Sequence, residues 1–157
     1  MMTDTTTNLT NLDDIRAYTL GGRATVTLVS AKTGASYTYT VEQTKGADDF
    51  FFVSLLTGPE NTHDYTPCGT MRFSGGLWVY RTNPSALDWV RLDSPSQVGF
   101  AWFVRQLNGK GSQISDQVEV WVSSRCSVCH RKLTAKQSIA SGMGPKCRAR
   151  VDARLGL

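Results

Sequence analysis

The stretch RATVTLVSAKTGASYTYTV, residues 23–41, alternates apolar and polar side chains with a period of two. The alternation is interrupted at Lys32-Thr33-Gly34, whose composition is typical of a turn. Alternate side chains of an extended strand point to the same face, so each half of the stretch has one apolar and one threonine-rich face. The stretch therefore predicts a β-hairpin with one face against a core.

The residues before the hairpin predict a disordered tail and a short helix. Residues 1–11 are mainly threonine and asparagine, which bury too little apolar surface to fold. Asn11 is a preferred N-cap residue, and the acidic pair Asp13-Asp14 follows it, where a helix dipole favours negative charge. Gly21-Gly22 is a typical helix end. We expect a helix of about two turns between these signals.

Further strands are expected after the hairpin, at residues 50–56, 67–72, 77–81 and 118–122. The run 50–56 is continuously apolar, which predicts a central strand covered on both faces. Ser94 and Pro95 begin a helix whose two apolar stripes predict deep burial, and Asn108 ends it. Residues 12–121 are therefore expected to form an α+β domain, with a mainly antiparallel sheet or partly open barrel and one packed helix.

Residues 122–157 carry the clearest chemistry, and we expect them to form a small zinc-knuckle module. Cys126 and Cys129 are separated by two residues, and Cys147 follows a Gly-x-Gly-Pro turn. Thiolates are soft ligands, and a CxxC pair with a distant third cysteine is typical of a structural zinc site. The fourth ligand is open. His130 is the nearest candidate, and the others are Cys68, His63 and Asp152.

Three other interpretations of the cysteine pattern are weaker. Cys126-x-x-Cys129-His130 is also the attachment pattern of c-type haem, but that requires export, and no signal peptide is recognisable. A redox pair would need a thioredoxin-like context, which the short basic flanks do not provide. Unpaired structural thiols would not need the fixed turn before Cys147. The pattern therefore favours a metal ligand set.

The same segment resembles a small zinc-binding domain of unknown function found in phage and bacterial proteins. Residues 52–66 are similar to uncharacterised phage proteins that carry the same C-terminal segment. The resemblance implies a zinc site and gives almost no information about function. A small residue is expected after the second cysteine, so His130 departs from the pattern and is a candidate compensating ligand. The matching residues are Cys126, Cys129, Arg131, Lys132, Leu133, Thr134, Ser138, Ile139, Gly142, Gly144, Pro145 and Cys147.

Charge divides the chain into two unequal parts. Residues 122–157 hold eight Lys or Arg against one acid, whereas residues 1–121 hold nine bases and twelve acids. A basic zinc module is the electrostatic footprint of a phosphate-backbone binder. Together with the resemblance to phage proteins, this charge predicts a phage-type accessory protein that binds nucleic acid. We expect it to be cytoplasmic because its cysteines do not suggest a disulfide framework. Nucleic-acid contacts are expected from Arg131, Lys132, Lys136, Lys146, Arg148 and Arg150.

A second hypothesis is a protein-binding inhibitor of a host defence or replication factor. It would dock through an aromatic sheet face or the polar loop 60–65. A binding affinity that decreases steeply with salt would favour the nucleic-acid hypothesis instead. Tyr37, Tyr39, Trp78 and Tyr80 can stack on bases, but the acidic body of the chain favours core positions for them.

Neither an enzyme nor a membrane protein is expected. The chain has only two histidines and no nucleophile motif, and the nearest constellation is the loop around His63. No apolar run is long enough to span a membrane.

Overall fold

The computed structural model describes residues 5–59, 63–82, 94–109 and 113–155. The described strands form one open antiparallel sheet in the order first, seventh, second, third, fourth, fifth, sixth. The α+β prediction is confirmed, and the sheet is open rather than a barrel. The strands are β1 (Thr5–Leu9), β2 (Arg23–Ser30), β3 (Ser36–Gln43), β4 (Phe50–Leu56), β5 (Tyr65–Ser74), β6 (Leu77–Thr82) and β7 (Val118–Ser123), and the helices are α1 (Leu12–Thr19), α2 (Pro95–Leu107), α3 (Lys136–Ser141) and α4 (Pro145–Leu155).

The predicted hairpin is formed by β2 and β3, in a register that pairs Val26 with Tyr39. Val26, Tyr39 and Val41 are buried, whereas the threonines between them lie on the opposite face. The second predicted hairpin, β5 and β6, is also present, with Trp78 buried and Leu77 exposed. Alternation in the sequence therefore determined which face of each hairpin lies in the core.

The first and last strands meet in a way that the sequence did not predict. β7 lies inside the sheet, between β1 and β2, although it is the last strand of the chain. β1 was expected to be part of a disordered tail, but Thr5–Leu9 pairs with β7, and Leu9 is buried in the core. β1 obtains its backbone hydrogen bonds from β7, more than 100 residues later in the chain. The composition of residues 1–11 cannot reveal so distant a partner.

The expectation that β4 is covered on both faces is wrong. Its hydrogen bonds are indeed internal, because β3 and β5 flank it. Its side chains nevertheless alternate: Phe51 and Val53 are fully buried, whereas the side chain of Phe52 is 53% exposed. The described helices pack on one face of the sheet, so a continuous apolar run here does not mean a strand buried on both sides.

α2 begins and ends where the sequence predicted. Ser94 Oγ accepts a hydrogen bond from the Gln97 N–H, Pro95 opens the first turn, and Asn108 is the C-cap. Only one of the two apolar stripes is buried, however. Phe100 lies against the rings of Tyr39 and Tyr80 at centroid distances of 4.6 and 4.9 Å, whereas Val98 is 57% exposed. α2 therefore packs one apolar stripe against the sheet, and among the described residues no further element covers the exposed Val98.

The C-terminal helices belong to the same core as the sheet. The expected domain boundary, between residues 121 and 122, falls within β7. Cys147 and Val151 of α4 are buried in one continuous cluster with the inner-face residues of the strands. Arg148 also joins α4 to α1, since its guanidinium lies 2.6 Å from a carboxylate oxygen of Asp14. No helix in the described ranges is long and apolar enough to cross a membrane.

Asn108 fastens the end of α2 to the edge strand β6. Its side-chain oxygen accepts from the Trp78 N–H at 2.8 Å, and its side-chain nitrogen donates to the Trp78 carbonyl at 2.8 Å. The amide thus replaces the missing neighbour strand at this position.

We predict that Asn108→Asp lowers the free energy of unfolding by about 2 kcal/mol, because it removes the donor and places a carboxylate against the Trp78 carbonyl. Urea denaturation measures the change. Asn8→Asp, at an exposed position of β1, is the control and is expected to change stability by less than about 0.5 kcal/mol. Equal stability of the two variants would contradict this role of Asn108.

Candidate metal centre

Three cysteine thiols converge at the end of β7. The Sγ atoms of Cys126, Cys129 and Cys147 all lie within 4.8 Å of one another. Cys126 follows β7, whereas Cys147 lies in the first turn of α4, directly after the Gly-x-Gly-Pro sequence. Cys126 and Cys147 are buried and Cys129 is exposed. These three thiols can hold a metal ion.

A small backbone turn presents the first two thiols. The Cys126 N–H donates to the Arg131 carbonyl at 2.9 Å, and the His130 N–H donates to the Cys126 carbonyl at 2.9 Å. An isolated bridge between Arg125 and Lys132 closes the turn. The CxxC sequence is therefore held by its own main chain, which supports the predicted knuckle.

Backbone amides surround the sulfur of Cys126. Burial opposes ionisation of this thiol, but hydrogen bonds from the N–H groups of Cys129, Gly144 and Val128 outweigh it and lower the pKa of Cys126. These donors come from both sides of the site, the knuckle and the turn before α4. The sequence could not reveal them, because a backbone N–H carries no residue-type signal.

Cys147 has the opposite electrostatic character. Burial, followed by hydrogen bonds with Cys126 and Cys129, raises the pKa of Cys147 to about 11. Three ionised thiols at this separation repel one another, and a divalent cation would offset that repulsion. The donor set, soft sulfur ligands in a partly buried place, fits such an ion.

His130 occupies an unusual backbone conformation. Its φ is 63°, and it is the only non-glycine residue with a positive φ in the described ranges. This explains why a small residue is expected after the second cysteine, since glycine adopts the left-handed region without steric cost. His130 does not belong to the group of three close ligand atoms. Its assignment as the fourth ligand remains a prediction.

The other candidates for a fourth ligand lie in different surroundings. Cys68 is buried in β5, where its Sγ lies 3.5 Å from the Val53 carbonyl. Asp152 accepts from the Arg148 guanidinium at 2.9 Å. His63 is largely exposed and lies 3.8 Å from Asp64. Residues 60–62 of the polar loop around His63 lie outside the described residues. None of these three candidates joins the group of close thiols.

The turn between α3 and α4 positions Cys147. Gly142 ends α3 with φ 79°, and the carbonyl of Ser138 accepts from the N–H groups of Gly142 and Met143. A Cβ at Gly142 would lie 2.8 Å from the ring of Tyr18 in α1. Gly142 therefore meets two requirements, a left-handed conformation and close contact with a buried aromatic ring.

The basic residues of this segment lie in two kinds of environment. Arg148 is half-buried and forms ion pairs with Asp14 and Asp152. This residue, a predicted phosphate contact, therefore also has a structural role. Five other bases are exposed, and within the ranges that the structure covers no ion pair joins them to a carboxylate. These exposed bases are Arg131, Lys132, Lys136, Lys146 and Arg150.

We predict that Gly142→Ala destabilises the protein by more than about 1 kcal/mol, because alanine is strained at this φ and its Cβ would clash with Tyr18. Gly144→Ala is the matched control. Open space surrounds Gly144, and its N–H would still be available to Cys126. Thermal denaturation of both variants measures the difference. If Gly144→Ala is the more damaging substitution, this account of the turn is wrong.

Comparison with known proteins reaches only this C-terminal segment. Residues 122–152 match the model of the "Family of unknown function (DUF6011)". No curated protein and no solved structure is significantly similar to the chain. The matched range covers the knuckle, α3 and most of α4, with all three clustered cysteines. This segment is thus similar to a family whose description gives no function.

Proposed function

We propose that Cys126, Cys129 and Cys147 bind one zinc ion, and that the ion holds rigid a basic surface that binds the phosphate backbone of nucleic acid. The observation that carries the proposal is the convergence of three thiols from two separate segments within 4.8 Å. Two of the thiols are buried, and the sulfur of Cys126 receives backbone N–H donors from both segments.

Zinc is the metal that this ligand set favours. Structural zinc sites are usually tetrahedral, and thiolates are their commonest ligands. When bound, the ion would link β7 to the start of α4 and neutralise the negative charge of the thiolates. Its fourth ligand would be His130, as predicted, or a water molecule on the exposed side beside Cys129.

The case for nucleic acid depends on where the bases lie. Arg131 and Lys132 follow the knuckle, Lys136 opens α3, and Lys146 is next to Cys147 in the first turn of α4. All four are exposed. No acidic residue occurs in the first turn of either helix, so both helix N-termini keep a positive potential. A metal would fix these bases relative to one another and reduce the ordering cost of binding.

The metal assignment predicts about one zinc per purified chain and less than half of that in Cys147→Ser. Elemental analysis measures the content. Because Cys126 and Cys147 share the core cluster of the sheet, chelation should lower the melting temperature of the whole chain in one transition. Wild-type protein free of zinc, with freely titrating thiols, would refute the assignment.

The role of His130 is tested by a pair of substitutions. If the imidazole is a ligand, His130→Ala and His130→Gly should both lose zinc strongly to a competing chelator. If the imidazole is not a ligand, His130→Gly should retain zinc. Its free energy of unfolding should then be higher by about 1 kcal/mol, because glycine tolerates this φ. Retention of zinc by both variants would contradict the predicted ligand.

The nucleic-acid proposal predicts weak, sequence-independent binding that decreases steeply with salt. A variant with Arg131, Lys132 and Lys136 changed to Glu should bind duplex DNA at least about tenfold more weakly at low salt. Fluorescence anisotropy measures both proteins. The matched control changes Lys32 and Lys45 to Glu, two exposed bases outside this segment. Equal affinity of wild type and the triple variant would favour the protein-binding alternative.

A further inference from the structure

The face of the sheet opposite the helices carries a patch of aromatic and basic side chains, which we call the outer platform. Phe50 and Phe52 of β4 lie on this face. The register pairs Phe52 with Thr70, which pairs with Arg81, and Phe50 with Arg72, which pairs with Val79. Side chains directly opposite each other in antiparallel strands share a face. The platform is therefore Phe50, Phe52, Thr70, Arg72, Val79 and Arg81.

The platform residues are not part of the hydrophobic core, although they alternate with residues that are. The intervening residues Phe51 and Met71 point to the helices and are fully buried. Phe52, by contrast, is 53% exposed, and its ring lies 5.4 Å from the ring of Phe50. Exposed aromatic rings clustered on one sheet face mark an interaction surface more often than a solvated one. The platform therefore offers flat apolar area to a partner.

The charge of the platform narrows the choice of partner. The guanidinium of Arg72 lies over the Phe50 ring at 5.1 Å. A groove of about 310 Å³ runs beside it, lined by Phe50, Thr70, Arg72, Ser74, Val79 and Arg81. This lining contains two guanidinium groups and two hydroxyls but no carboxylate. Within the described ranges, no ion pair joins Arg72 or Arg81 to an acid.

One acid borders the platform on its far side. Glu42 of β3 pairs with Phe52 and lies one strand further from Arg81 than Phe52 does. The positive groove and this carboxylate therefore lie on opposite sides of Phe52. The rings of β4 and the guanidinium groups of Arg72 and Arg81 lie next to each other on the side away from Glu42.

We propose that the outer platform binds single-stranded nucleic acid. An unpaired base stacks on Phe52, and Arg72 and Arg81 contact the phosphates of the same strand. A duplex does not suit this surface, because its bases are already stacked and a flat sheet face cannot enter a groove. An apolar protein partner, or a second copy of this face, would bury both arginines with too few carboxylates to oppose them.

This inference goes beyond the proposed function. The basic residues between 131 and 150 contact phosphates of any nucleic acid, whereas the platform adds a requirement for unpaired bases. The two surfaces share no residue, so each can fail without the other.

The test compares a labelled oligothymidine of about 12 nucleotides with a duplex of equal length, by anisotropy at low salt. Phe52→Thr removes the ring and keeps a β-branched residue in the strand. We expect it to weaken single-strand binding about tenfold and to leave duplex binding unchanged. Phe52→Tyr, which keeps a ring, should restore single-strand affinity.

Two further variants complete the design. Trp121→Thr is the matched control, because Trp121 is an aromatic residue on the same face whose indole N–H donates to Glu119 at 2.9 Å. It should leave both affinities unchanged. Arg72→Gln with Arg81→Gln should reduce the salt slope of single-strand binding by about 1.4. Circular dichroism confirms that each variant is folded.

Several results would overturn the proposal. They are no single-strand binding by wild type, equal affinity of Phe52→Thr and wild type, or equal losses on strand and duplex. A change from dimer to monomer in Phe52→Thr, with single-strand affinity unaltered, would identify the platform as a self-interface instead. Unchanged duplex binding by the variant with Arg131, Lys132 and Lys136 reversed would refute only the proposed function.

Discussion

The hydroxyl of Tyr18 is the contact on which the two ends of this protein depend. β7 pairs with β2 only from Val26 onward, so the main chain of Thr25 has no strand on that side. Tyr18 replaces it, since its hydroxyl accepts from the Thr25 N–H at 3.1 Å and donates to the Thr25 carbonyl at 3.2 Å. Burial raises the pKa of Tyr18 to about 12, which keeps the hydroxyl neutral and able to do both.

The knuckle also provides a hydrogen-bond partner for the main chain of β2. The Arg23 N–H donates to the Ser127 carbonyl at 2.7 Å, so the CxxC turn completes the start of β2. Gly142 packs against the Tyr18 ring from the other side. The segment that carries the thiols is thus held against the sheet by contacts of Tyr18 and Ser127. A metal at this place would stabilise the sheet and the C-terminal helices together.

Two surfaces of different chemistry result from this architecture. The C-terminal segment presents exposed bases around the knuckle, and the proposed phosphate binding by such a surface would depend on charge and therefore on salt. The outer platform presents rings on a sheet, a rigid support whose strand spacing is set by hydrogen bonds. The helices in the described ranges pack on the inner face, and this one-sided packing leaves Phe52 exposed.

The sequence by itself determined most of the local elements and the three cysteines that can hold a metal ion. Asn11 and Ser94 cap helices because their side chains accept backbone N–H groups a few residues away, which is a local interaction. The hairpin follows from alternation, and the three cysteines from their spacing. Tertiary structure alone decided that β7 enters the sheet, that β1 pairs with it and that one face of β4 stays open. Those outcomes depend on which distant segments supply hydrogen bonds and cover apolar area, and no local pattern encodes that choice.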